Sequence, residues 1–255
     1  MQKEIKSRNL SQSMPDNCPD CNKIITENFC SFCGHQKSIE RIDAKYAGQE
    51  ILNLVGYERG FLFTVKNLLI KPAETIKHFL YINRNTVTKP LTFLILSSVI
   101  YTLISHYLQT DVVIDQRMKN MLGNSSVYLM NKWIQENYGY ANLLMILPIA
   151  FFCKLLFRQY QYNFFEVVVI ICFVMGEGML ILSVQQIFNY YLNSSLVDNA
   201  FYVIVFAYIS WAISIVYDKS IKNYFKALSA YLLGMISFQL ITTILAVLYD
   251  IAIKK

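Results

Sequence analysis

The sequence predicts an all-helical polytopic membrane protein, about five transmembrane helices behind a small cysteine-bearing N-terminal unit. Three observations predict it. Of 255 residues, 55% are hydrophobic and only 16% charged, where a soluble domain carries about 25% charged residues. The mean hydropathy is +0.36. The charges are also uneven: residues 1–90 hold 13 of the 23 Lys and Arg and 9 of the 17 Asp and Glu, and long apolar runs follow. Together these exclude a disordered chain, a fibrous repeat and an ordinary soluble enzyme.

Residues 1–14 are polar and contain no apolar stretch of signal-peptide type, so the segment reads as a mobile tail. Residues 15–36 carry Cys18-Pro19-Asp20-Cys21 and Cys30-Ser31-Phe32-Cys33-Gly34, a C-x2-C-x8-C-x2-C pattern. Each C-x2-C lets two thiolates converge on one ion from a tight turn, and four soft thiolates suit tetrahedral Zn²⁺. Gly34 and Asn22 follow the two turns, where a positive φ is often needed. A segment this short cannot bury a core, so structural zinc would supply the folding energy. The competing reading is two disulfides, which require an oxidising compartment. His35 reads as a surface residue, because four thiolates already close the shell. For the same reason catalysis at this metal is not expected. Cys153 and Cys172 lie in apolar runs and read as packing residues.

Residues 37–58 read as a charged linker and residues 59–90 as a basic, amphipathic neck. Phe61, Leu62, Val65, Leu68 and Leu69 recur at helical spacing; Pro72 interrupts; Ala73, Ile76, Phe79 and Leu80 mark a second short helix. Arg59, Lys66, Lys71, Lys77, Arg84 and Lys89 stand against one acid, Glu74. Apolar faces with Lys and Arg beside a membrane span point to helices in the cytoplasmic interface, touching anionic headgroups. The alternative is a soluble helical hairpin packed on the cysteine unit. Nucleic acid is a poorer fit, because the charges are strung along a lipid-adjacent neck.

Residues 91–255 form the membrane domain, with spans at about 91–108, 141–157, 164–188, 200–217 and 228–249. Loop charges orient them. The neck, Lys154 with Arg158, and Lys219 with Lys222 and Lys226 fall inside, while 109–140 is neutral and 189–199 has no Lys or Arg. This places the N-terminus in the cytosol and the protein in the inner membrane, where thiols stay reduced. Lys254 and Lys255 fall outside if five spans hold, which leaves a four-span or re-entrant variant open. In the outer loop, Val127, Met130, Ile134 and Tyr138 share a helical face beside Trp133, predicting a short interfacial helix.

The cysteine unit, then Arg59-Gly60-Phe61-Leu62-Phe63-Thr64-Val65-Lys66-Asn67-Leu68-Leu69-Ile70-Lys71-Pro72, Thr75-Ile76-Lys77-His78-Phe79-Leu80 and Lys89-Pro90-Leu91-Thr92-Phe93-Leu94, resembles a bacterial, Bacteroidetes-type zinc-ribbon membrane family catalogued as domain of unknown function 3667. The resemblance covers about residues 18–100. Ala73 stands where the family pattern has Gly after the proline. The resemblance implies the architecture and supplies no chemistry.

Ionisable groups inside a span mark functional candidates. Glu177 lies between Gly176 and Gly178 in the third span, with Glu166 eleven residues earlier on nearly the same face. Counted from the inner span ends, Glu177 and His106 reach a similar depth, about 20 and 22 Å, which allows a pair that relays protons or holds a cation. The plainer alternative is a carboxyl kept neutral for packing, with Glu166 pairing Lys154 or Arg158 and His106 at the outer interface. No P-loop, H-E-x-x-H or G-x-S-x-G occurs, so no enzyme is expected. The leading expectation is a membrane scaffold whose zinc ribbon docks a protein partner; the rival is a channel or transporter using the polar face of the third span. The sequence does not set an oligomeric state.

Overall fold

A computed structural model describes residues 17–18, 21–24, 30–33, 60–123, 125–192 and 194–253. The expected tail 1–14 and linker 37–58, together with Gly34, His35, Arg59, Lys254 and Lys255, lie outside the described residues. The chain divides into two units, Met1–Leu52 and Asn53–Lys255.

In the second unit, nine α-helices are described: α1 (Phe61–Ile70), α2 (Pro72–Tyr81), α3 (Pro90–Tyr107), α4 (Thr110–Leu122), α5 (Ser126–Glu136), α6 (Tyr138–Leu156), α7 (Phe164–Leu192), α8 (Ser195–Tyr217) and α9 (Ile221–Ile253). Five of them, α3 and α6 to α9, are long and apolar enough to cross a membrane. Pro72 and Pro90 each open a helix at its first turn, where a missing N–H costs nothing. The α3–α4 turn is tight and runs through Gln109 in the left-handed region.

α7 is the central helix. It is apolar all round, and Ile170 to Met179 are buried without interruption. A helix buried on every side has no polar stripe to present. Its neighbours come close because glycines stand at the crossings. A Cβ on Gly176 would lie 2.7 Å from the Phe93 ring and 3.3 Å from Leu94 Cα of α3. Gly178 faces the Ile209 side chain of α8. On α9, a Cβ at Gly234 would lie 2.5 Å from Ile149 Cα of α6. Small residues at such crossings let backbones approach, and that packing holds helices together where lipid is as apolar as the side chains.

The neck packs into this bundle. Phe61 and Leu68 of α1, and Ile76 and Phe79 of α2, belong to the same buried cluster as Phe93 and Phe173. The Phe61 ring meets Phe93 at 5.2 Å, and Phe79 meets Phe173 edge-on at 5.4 Å. The Thr64 hydroxyl accepts the Thr88 N–H at 2.9 Å, tying the approach to α3 onto α1. Tyr208 of α8 donates to the Leu68 carbonyl at 3.1 Å, one of the carbonyls left over in the last turn of α1.

Where one outer helix was expected, two are found, α4 and α5. Asp250 near the end of α9 accepts from the Ser126 hydroxyl at 2.6 Å and its N–H at 3.2 Å, placing a carboxylate at the α5 N-terminus.

These crossings make a sharp prediction. Gly234→Ala drives a Cβ into backbone and should destabilise the purified protein by about 1–3 kcal/mol. Gly178→Ala meets only the end of a flexible side chain, 3.2 Å away, and should lie within about 1 kcal/mol of the parent, since alanine favours helix. Unfolding in mixed micelles measures both; equal losses would contradict the crossing geometry.

Candidate functional site

In the first unit, the four cysteines come together. Cys18 Sγ lies 3.4 Å from Cys33 Sγ, and Cys21 Sγ lies 3.5 Å from Cys30 Sγ. All four Sγ atoms fall within 4.8 Å of one another. No disulfide joins any of the six cysteines. A bonded pair would sit at about 2.05 Å, whereas a tetrahedral ion with Zn–S of about 2.3 Å has sulfur–sulfur edges of about 3.8 Å. The observed set can hold one metal ion.

The backbone explains the convergence. After the first pair, Asn22 takes φ 58°. Its N–H returns to the Cys18 carbonyl at 2.8 Å, and the Cys18 N–H reaches the Lys23 carbonyl at 2.7 Å. A single antiparallel bridge joins Asn17 to Ile24. Lys23 Nζ sits 3.4 Å from the Phe32 ring centre, linking the first turn to the second. Backbone N–H groups of Cys33 and Phe32 point at the Cys30 sulfur and lower its thiol to about 6. A set of N–H groups aimed at a sulfur favours thiolate, the form that binds metal.

In the second unit, Glu177 is 1% exposed and its Oε2 has no hydrogen-bond partner. It lies on the central helix between the two glycine crossings, with Tyr208 as its electrostatic neighbour. The Tyr208 hydroxyl is already committed to Leu68. The expected depth match with His106 fails. α3 and α7 run parallel, with Gly176 against Phe93 and Leu94, and Gln186 donating to the Tyr101 hydroxyl at 3.0 Å. α7 therefore starts about 12 Å deeper than α3, and His106 lies roughly 17 Å beyond the level of Glu177. Equal depth followed from aligning the two inner ends, and the glycine crossing sets a different register. His106 is exposed and faces a cavity at the far end of α3.

Glu166 has a structural task. Its carboxylate accepts the Asn163 N–H at 2.7 Å, and its own N–H donates to Asn163 Oδ1 at 2.9 Å. This reciprocal capping box starts α7 and satisfies two orphan N–H groups. The pairing with Lys154 or Arg158 is replaced by it; Lys154 instead donates to the Tyr162 carbonyl. The signal Asn-x-x-Glu ahead of an apolar run was present in the sequence. Two further polar pairs cross between spans: Asn142 donates to Ser98 at 2.9 Å, and Gln185 to Asp198 at 2.8 Å.

Lys66, Lys71, Lys77, Arg84 and Lys89 are all exposed. Lys66 shares its face with exposed Leu62, Leu69 and Ile70. Lys71 pairs with Glu74 at 3.3 Å. Lys71 and Lys77 line a groove of about 990 Å³ together with Lys219, Trp211 and Tyr224 at the α8–α9 turn.

A family model described as "Protein of unknown function (DUF3667)" matches residues 58–102, which comprise α1, α2 and most of α3. The four cysteines lie outside the matched residues. No curated protein and no solved structure matches the chain.

The burial of Glu177 separates packing from transport. Glu177→Gln preserves shape and removes only the ability to ionise, so unfolding stability should stay within about 1 kcal/mol of the parent. If the residue serves packing alone, proton and cation flux in liposomes should also be unchanged. A protein that folds normally but loses measurable flux would assign Glu177 to transport.

Proposed function

We propose that this multi-pass membrane protein is a scaffold of the inner membrane, displaying a cytosolic structural zinc ribbon that docks a protein partner. The observation that carries the reading is the set of four Sγ atoms within 4.8 Å of one another. Cys18, Cys21, Cys30 and Cys33 would hold the ion. A four-thiolate shell has no open position for a substrate, so its use is to fold the ribbon. Phe32 and Ile24 are 67% and 68% exposed, apolar side chains available to a partner on so small a unit.

The basic neck supports attachment to anionic headgroups on the same side. Its lysines stand at the end of the bundle where Phe157 and Tyr217 stack at 4.1 Å and Tyr162 meets Tyr217 at 5.1 Å. An excess of Lys and Arg beside the span ends is the pattern of a cytoplasmic interface. The transport reading rests on the unpartnered Glu177 oxygen. It is the weaker of the two, because Glu177 lies within the uninterrupted buried stretch Ile170–Met179 of the central helix.

Metal analysis of purified protein should give one zinc per chain, and a Cys30→Ser, Cys33→Ser double variant should lose it. Zinc content unchanged in that variant would remove the assignment. A partner recovered from native membranes with the parent and lost with the double variant would support docking.

The orientation has its own test. Reporters fused at the N-terminus and after Lys255 should be active on opposite sides, cytosolic for the first. Activity of both in the cytosol would rule out five full crossings.

A further inference from the structure

The far end of the bundle, where α3 stops, carries a feature unrelated to the ribbon or the neck. A cavity of about 320 Å³ lies between the last turns of α3, the α4–α5 hairpin and the start of α6. Its wall holds both signs of charge, Asp115 and Glu136 with Lys132, and the His106 ring beside them. Lys132 Nζ stands 3.8 Å from Asp115 and 3.9 Å from Glu136. Both distances exceed hydrogen-bond range, so the ammonium is shared loosely between two carboxylates. Asp115 is fixed in place by the Tyr128 hydroxyl, which donates to it at 2.9 Å, and that bond raises the Tyr128 phenol above its ordinary value.

A second cavity, about 470 Å³, adjoins the first: Gln135 and Tyr138 line both. It runs between α6, α8 and α9 past Met145, Phe206 and Met235. Tyr138 to Met145 spans about 10 Å along α6. The charged cavity thus shares a wall with a more apolar one that reaches along α6 to Met145. Trp133 and Tyr140, 45% and 68% exposed, mark the same level as interfacial.

We propose that the two cavities together bind one phospholipid with a zwitterionic, primary-amine headgroup, of the phosphatidylethanolamine class. The primary ammonium has three donors for Asp115 and Glu136. Its phosphate takes Lys132, released from its loose bridge, as a counter-charge, with the Gln135 amide as donor. The glycerol sits by Tyr138, and the first part of the acyl chains fills the apolar chamber. An anionic headgroup without an amine would put its phosphate beside two unpaired carboxylates. A quaternary headgroup would offer them no N–H donor. The proposal is independent of the ribbon and of the anionic-lipid reading of the neck, which concerns the opposite end of the spans.

The full chain, purified in detergent with equal amounts of dioleoyl phosphatidylethanolamine, phosphatidylglycerol and phosphatidylcholine, would be examined by native mass spectrometry. One phosphatidylethanolamine per chain should be retained, at least about fivefold over phosphatidylcholine, the scale of a charge-assisted hydrogen bond at a half-open site; phosphatidylglycerol held at the basic neck does not enter this ratio. Glu136→Gln should reduce that preference, and Met235→Trp should remove retention by filling the apolar chamber. Asp115→Asn also loses charge but disturbs the Tyr128 contact, so Glu136, whose side chain is 61% exposed, is the deciding position. Lys219→Gln, at the other end, should leave the preference intact. Equal retention of phosphatidylethanolamine and phosphatidylcholine, or phosphatidylethanolamine retention unaltered by both Glu136→Gln and Met235→Trp, would overturn the proposal.

Discussion

Gly176 admits the Phe93 ring and the α3 backbone to the surface of α7, and most of the second unit hangs on that approach. With α3 at that distance, Phe93 lies within reach of both Phe61 and Phe173. Those rings seat α1 against α3 and α7, and Phe79 then seats α2 against Phe173. A side chain at position 176 would separate α3 from α7 and strip α1 of its aromatic partner. In water such a cluster would be driven together by its apolar area. In lipid the drive is close packing, so the size of the residue at the crossing decides it.

The same contact settles the vertical register, and the register settles which polar groups can meet. Gln186 finds Tyr101, and Asn142 finds Ser98, because α3, α6 and α7 stand where the glycines put them. Glu177 is carried to a level where α3 offers only the early residues of its span. Its Oε2 is left without a partner, and the hydroxyl of neighbouring Tyr208 serves the end of α1. Serving one orphan carbonyl and leaving one carboxyl oxygen alone are thus connected outcomes of the same packing.

The spans were legible in the sequence because twenty-residue apolar runs have few other uses. Their ends were less so. α9 starts at Ile221, seven residues before the expected span, because Lys222 and Lys226 are compatible with a helix that leaves the hydrocarbon. α4 was missed altogether: its apolar and polar residues are mixed without a clear helical stripe, and its helix is held by contacts to α5 and α3 that no local periodicity reports. The neighbouring prediction for residues 127–138 recovered only the amphipathic α5. For the cysteines the spacing itself carried the information, since two C-x2-C turns have few ways to present four sulfurs except toward one point. Glu166 was readable as a cap and was weighed instead as an ion pair. The pairing of Glu177 with His106 depended on inter-helix register, which lives in the Gly176 contact and in no single segment.

Unequal helix lengths explain why two accessory hairpins exist. α7 and α9 have 29 and 33 residues, about 44 and 50 Å, well beyond a hydrocarbon core of about 30 Å. α3 and α6 have 18 and 19 residues and barely cross it. Because α3 begins some 12 Å above the start of α7, a step is left beside the lower parts of α7 and α8, and α1–α2 fills it. Because α9 continues past the start of α6, a second step is left at the far end. There α5 fills it, held by Ser126 to Asp250 and by Gln239 to Asn131. Each step is lined by long helices whose sides would otherwise be open, and each becomes a place where charged and apolar residues face one another. The basic groove forms at the first step and the mixed-charge cavity at the second. The groove and the cavity accordingly lie toward the two ends of the bundle, on either side of the buried stretch Ile170–Met179.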